Sequence, residues 1–217
     1  MNTKKLPNRL IMYFIGLFIL SLGISVSVKS DLGVSPVSSI PYTMTKVFGL
    51  EMGKATMIFH AFLVLLQIII LRQNFKLINL LQIAVGIVFG YFTTFSNYLF
   101  SFLPTPESMA IRLLLIPLSI FLIGLGIFLY VSADIIPIAN EGMTRVISDV
   151  THLQPGKVKI IYDITLVSVS LTACLIVIHS PGSVGFGTLI SALLVGTVLC
   201  FNTKHLSEAR DSIFRLK

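Results

Sequence analysis

The sequence predicts an all-α membrane protein, built as six transmembrane helices in two inverted three-helix repeats, each with a short re-entrant or interfacial helix. Three observations lead there. The chain is 55% hydrophobic and 12% charged over 217 residues, with a mean hydropathy of +0.94. Runs such as Leu10–Val28 and Met57–Leu71 carry no charged side chain except the titratable His60. They are long enough, or nearly so, to cross roughly 30 Å of hydrocarbon as helices. Second, an offset of 103 carries Arg9, Phe18, Leu22, Gly23, Ile24, Val28, Asp31, Gly53 and Lys54 onto the same residue types at Arg112, Phe121, Leu125, Gly126, Ile127, Val131, Asp134, Gly156 and Lys157. Third, the basic residues divide unevenly between the two sides that six spans would create.

The spans are expected at about 9–29, 55–72, 77–102, 110–131, 158–178 and 184–203. Lys4, Lys5 and Arg9 before an apolar run imitate a secretory signal. The run is too long for a signal core and no convincing cleavage pattern follows, so it reads as a retained first helix. With the N-terminus inside, the inner segments hold Lys4, Lys5, Arg9, Arg72, Lys76, Arg145, Lys157, Lys159, Lys204, Arg210, Arg215 and Lys217, and the outer ones only Lys29, Lys46, Lys54 and Arg112. This positive-inside bias puts both termini in the cytoplasm. The offset relates helix 1 to helix 4 and helix 2 to helix 5. An odd number of crossings separates each pair, so the halves, residues 1–103 and 104–217, point in opposite senses. Helix 3 matches helix 6 with a slip of three residues. Inverted repeats of this kind are common in secondary transporters.

Residues 30–54 and 133–157 are longer than ordinary helix links and occupy corresponding places. Ser35 before Pro36 signals a helix start. Val37, Ile40, Met44, Val47 and Phe48 then recur at helical spacing. In the second segment Asn140 is placed to cap a short helix carrying Met143, Val146, Ile147 and Val150. Such helices either lie on the bilayer surface or dip into it. Dipping is tolerated only where protein or a wet cavity covers the backbone, and the symmetry favours it. The two halves are then expected to enclose a buried wet chamber.

His60 and Asp163 are also 103 apart, each about one and a half turns into its helix, or roughly 9 Å at 1.5 Å per residue. Ionisable groups at that depth usually face a partner or a water-filled cavity. The alternatives are an interfacial Asp163 and a neutral, packed His60. Glu141 suits a helix start through the helix dipole; beside Asn140 and Asp163 it could instead bind a cation, a proton or a donor-rich solute. Its repeat partner Ser38 is uncharged, which leaves an acidic inner half and an outer half with His60, Ser35, Ser38 and Ser39. Asp31 and Asp134 end helices 1 and 4 and read as turn caps or as gates. Thr93, Thr94, Ser96 and Asn97 either line a path or bond between helices. Gly16, Gly23, Gly86, Gly90, Gly185 and Gly187 read as close-packing positions. Cys174 and Cys200 fall inside spans and read as packing residues. His152, His179 and His205 lie near helix ends without a ligand pattern.

Gly33-x-x-Pro36, Gly49-Leu50-x-x-Gly53, Gly156-Lys157-Val158-Lys159 leading to Asp163, and Pro181-Gly182-Ser183-Val184-Gly185-Phe186-Gly187-Thr188 followed by Ala192-Leu193-Leu194-Val195-Gly196 resemble the YczE/YyaS/YitT family of bacterial integral membrane proteins over nearly the whole chain. Where similar proteins have Trp-Asp after the first loop's Pro, Val37-Ser38 stands here. Glu141 and Asp163 match acidic positions of the family pattern. The resemblance implies a multi-pass protein of the bacterial plasma membrane, and transport.

The expected function is secondary transport of a small polar solute, with a cationic solute and proton coupling as the sharper forms. The substrate- and ion-binding side chains would be those of Asp163, Glu141, Asn140, His60, Ser35, Ser38, Asp31 and Asp134. The alternatives are a substrate-binding membrane subunit of an ATP-driven uptake system and a non-transporting scaffold or sensor. No enzyme motif, metal cluster or phosphate loop is visible, so neither cofactor nor metal is expected. The expected partners are the lipid bilayer and the solute; a homodimer is compatible, and the net charge of +7 is read as orientation and headgroup contact, not nucleic-acid binding.

Overall fold

A computed structural model describes residues 6–214. In chain order the helices are α1 (Leu6–Ser30), α2 (Pro36–Phe48), α3 (Met52–Leu71), α4 (Leu81–Ser101), α5 (Met109–Ser132), α6 (Ala139–Thr151), α7 (Pro155–Ile178) and α8 (Phe186–Ile213). Two 3-10 turns, Arg72–Asn74 and Leu77–Leu80, join α3 to α4. Six helices are long and apolar enough to cross a membrane, and α2 and α6 are the two short ones. The element order is therefore long, short, long, long, and then the same again. Lys4, Lys5, Arg215 and Lys217, which enter the orientation argument, lie outside the described residues.

Local chemistry moves several boundaries from their expected places. α3 starts at Met52 because the Glu51 carboxylate accepts from the Gly53 and Lys54 N–H groups, at 2.8 and 3.3 Å. α7 starts at Pro155, whose fixed φ and missing N–H suit the first helical position. His60 and Asp163 thus lie eight residues in, about 12 Å, and so about half a turn deeper than the sequence implies. α8 runs on from 203 to Ile213, which leaves His205 inside the helix rather than near its end.

α1 and α5 form the spine, and they run antiparallel. Arg9 at the start of α1 meets Ala133 and Asp134 past the end of α5. Arg112 at the start of α5 meets Asp31 past the end of α1. Between these ends the helices approach until only glycine fits: a Cβ on Gly16 would lie 2.5 Å from the Tyr130 nitrogen, and one on Gly126 would lie 2.5 Å from the Leu20 nitrogen. A hydrophobic core of α1 and α5 side chains, including Met12, Leu17, Ile123 and Phe128, surrounds the crossing.

The other helices attach to this spine. α4 packs on α1, with the Ser21 and Ser96 hydroxyls sharing a 2.8 Å hydrogen bond. α8 packs on α5, where the Arg210 guanidinium donates to the Ser132 hydroxyl at 2.8 Å. α2 and α6 pack on both α3 and α7. Each buries its first turns and exposes its last, so the N-terminal ends of the short helices face the interior. One correspondence fails: α3 packs along α4, whereas α7 and α8 barely touch.

Candidate functional site

The start of α6 gathers a polar cluster from five helices. Ile138 occupies the cap position and makes no side-chain cap, so Asn140 is not the cap expected from the sequence. It lies inside the first turn instead, fully buried, and its Oδ1 accepts from the Tyr162 hydroxyl of α7 at 3.0 Å. Gln67 of α3, also fully buried, donates from Nε2 to Gln82 Oε1 of α4 at 2.9 Å and to the Ala139 carbonyl at 3.2 Å. Residue 142 must be small here, since a Cβ would sit 2.5 Å from Gln82 Oε1. From the spine, the Tyr13 hydroxyl donates to the Ile136 carbonyl at 2.7 Å, with its ring edge-on to Tyr130 at 6.1 Å.

Four polar atoms in this cluster are sealed from solvent and have no hydrogen-bond partner of good geometry among the described residues: Gln67 Oε1, Asn140 Nδ2, Glu141 Oε2 and the Tyr130 hydroxyl. Buried polar groups are nearly always paired, and each unpaired one costs about 1–3 kcal/mol. The Gln67 amide cannot be turned over to remove its deficit, because its oxygen would then face two other acceptors. Turning the Asn140 amide only exchanges which of its atoms is left over. Two of the four, Glu141 Oε2 and the Tyr130 hydroxyl, belong to side chains that neighbour each other closely enough to interact as a hydrogen-bonding pair, so a small shift would pair them.

Two carboxylates differ in how their charge is met. Lys159 Nζ donates to Asp163 Oδ1 at 2.7 Å, one turn along α7. Glu141 makes no ion pair among the described residues. Burial raises its carboxyl above the ordinary carboxylate range, and the Lys159 charge opposes that rise. The cluster therefore holds one acid in an ion pair and one without an ion-pair partner among the described residues.

The remaining sequence-derived residues lie elsewhere. His60 is two turns along α3 from Gln67, about 10 Å away, stacked on Phe89 at 5.7 Å with Gly86 against its ring. Ser35 and Ser38 share a 2.8 Å hydrogen bond at the start of α2, and Thr43, further along the same helix, bonds Ser183 at 2.6 Å. Asp31 and Asp134 are exposed, adopt left-handed φ of 54° and 48° that end their helices, and pair with Arg112 and Arg9 at 3.3 and 3.4 Å. Thr94 and Ser96 bond across helices, to Glu51 and to Ser21. The structure thus brings Asn140, Glu141 and Asp163 together and leaves the other five apart. Tyr13, Tyr130, Tyr162, Gln67 and Gln82 are the site residues that sequence reasoning missed; the two glutamines alone carried a signal, each as a polar break in an apolar run.

A cavity of about 780 Å³ adjoins the cluster between α3 and α7, with Ile40 and Met44 of α2 and Met143 and Ile147 of α6 on its wall. Its lining is almost wholly apolar, and the Tyr162 ring forms part of it. This cavity is not the wet chamber expected from the sequence.

Six long apolar helices around a buried polar cluster define an integral membrane protein of all-α class. The chain belongs to the family of unknown function DUF6198, whose model matches residues 7–204. It is 28% identical over 200 residues to the uncharacterized membrane protein YczE of Bacillus subtilis (strain 168), covering 92% of this chain and 87% of that one. It is 29% identical over 191 residues to the uncharacterized protein YyaS of the same organism, covering 86% and 88%. The resemblance read from the sequence is thereby borne out. No solved structure matches.

Proposed function

We propose that this protein is a secondary transporter of a small polar solute, donor-rich or cationic, working by alternating access in the bacterial plasma membrane with both termini cytoplasmic. Residues 1–103 and 104–217 act as inverted repeats that rock about the α1–α5 spine. The observation that carries the reading is the set of four unpartnered polar atoms at the start of α6. A polar ligand, or water held in its place, would pair them. The paired geometry of the halves supports the rest. Arg9 bonds toward Asp134 as Arg112 bonds toward Asp31, and all four residues obey the offset of 103.

Glu141 is the group that would exchange a proton for the solute's positive charge. Reconstituted into proteoliposomes, the wild-type protein should move a small primary amine against an imposed proton gradient. Glu141→Gln should bind and move it at least tenfold less well while remaining folded. Unchanged proton-driven uptake by Glu141→Gln would remove Glu141 from the mechanism.

A further inference from the structure

Two helix seams at corresponding places in the halves differ. In the first half α3 lies on α4 at a pair of glycines. A Cβ on Gly90 would lie 2.8 Å from the Gly53 carbonyl oxygen, and one on Gly53 would run into the Gly90 carbonyl. Both glycines are buried, and the Thr94 hydroxyl ties the end of the seam by donating to Glu51 Oε1 at 2.8 Å. Their counterparts in the second half are Gly156, at the offset of 103, and Gly196, at the slipped offset of 106. Both are exposed, and nothing lies within 4 Å of a Cβ on either. Glycine weakens a helix interior, and in a membrane that cost is offset where backbones meet. Gly196 carries the cost without the contact.

The surroundings follow the same pattern. Met57, half-buried and against Gly90, corresponds to the exposed Ile160. His60 packs on Gly86, while their counterparts Asp163 and Ala192 belong to helices that barely touch. The open seam lies beside the polar cluster, since the Asp163 charge reaches Glu141. The closed seam ends there too, where Gln67 of α3 donates to Gln82 of α4.

Resting on the inverted-repeat transport reading above, we infer a second state in which α7 closes on α8 through Gly156 and Gly196 while α3 parts from α4 at Gly53 and Gly90. Each half takes the conformation that the other has now. The arrangement described above is then the inward-facing one, shut at the outer seam and open at the cytoplasmic seam. A solute held at the start of α6 leaves past α7 in this state and past α3 in the other.

The test uses the full-length protein in phosphatidylcholine nanodiscs, with Cys174→Ser and the native Cys200 kept. Cys200 corresponds to Thr94 and Gln154 to Glu51, the pair that bonds across the closed seam. A short bifunctional methanethiosulfonate should therefore bridge Gln154→Cys to Cys200 within one chain. Gly196→Leu has open space in the present state but obstructs the closed seam. It should keep the thermal midpoint and slow the bridging about tenfold. The Glu51→Cys/Thr94→Cys pair, with both native cysteines changed to serine, should bridge readily and fixes the reagent's reach. No bridge between Gln154→Cys and Cys200, when each reacts singly, would overturn the inference. A bridge joining two chains would do the same, by making the gap a seam between copies, as would equal bridging in Gly196→Leu. Bridging that Gly196→Leu slows, in a protein that moves no amine on a proton gradient, would keep the second state and end the transport reading. Proton-driven uptake without any bridge would do the reverse.

Discussion

At the scale of single residues, two acids near the start of α6 stand in different company. Asp163 is held by Lys159 at 2.7 Å, and the Lys159 charge already reaches Glu141. Asp163→Asn should therefore do more than delete a charge. It releases Lys159 to pair with Glu141 and fill the place the proposed solute would take. Proton-driven uptake should fall at least tenfold in that variant. The double variant Asp163→Asn/Lys159→Met should recover much of it, because no cation is left to compete. Equal loss in the single and double variants would show that Asp163 acts directly rather than by restraining Lys159. Asn140, Glu141 and Asp163 were legible in the sequence because polar and ionisable groups stand out in apolar surroundings. Tyr130 and Tyr13 were not, since a tyrosine in a membrane helix looks the same whether it packs, anchors or binds. Their proximity to Glu141 depends on how α1 and α5 cross, which no local pattern encodes. The same limit explains Asp31 and Asp134. Their recurrence was visible, but their exposed pairing with an arginine of the opposite half was not.

Among the helices, the spine is the element most sensitive to substitution. Gly16 and Gly126 let the α1 and α5 backbones meet. Adding a methyl group forces rigid backbone apart rather than a flexible side chain. Gly16→Ala should lower stability by about 1–3 kcal/mol, read as a fall in thermal midpoint in detergent. Gly196→Ala is the matched control, because nothing lies within 4 Å of a Cβ there; its stability should hold or rise by up to about 1 kcal/mol, since alanine favours a helix over glycine. An equal fall in both variants would contradict close approach as the cause of the loss at Gly16. The exposed pair between Arg9 and Asp134 should matter less. Removing the Asp134 carboxylate should cost about 1 kcal/mol or less, whereas Arg9→Ala should cost more, because Arg9 also holds the Ala133 carbonyl at the end of α5. The six long helices were readable because a bilayer allows few solutions for an apolar run. Their ends were harder. The starts of α3 and α7 depend on Glu51 and Pro155, and the true cap of α6 is an isoleucine with no side-chain bond to announce it.

For the whole molecule, the account turns on two halves that cross the bilayer in opposite senses. Several independent features agree with it: the antiparallel spine, the exchanged ion pairs, and the left-handed helix ends at Asp31 and Asp134 and again at Gly49 and His152. The weak contact between α7 and α8 departs from strict correspondence, and it falls where the sequence match between halves needs a three-residue slip. An asymmetric repeat suits a carrier that binds one oriented solute. Phe48 and Thr151 give the decisive positions, being 103 apart, exposed, and at the ends of α2 and α6. In a background with Cys174 and Cys200 changed to serine, a membrane-impermeant maleimide should label Phe48→Cys on intact cells. It should reach Thr151→Cys only after the membrane is opened. Labelling of both from the same side would contradict the inverted arrangement and the alternating-access cycle built on it.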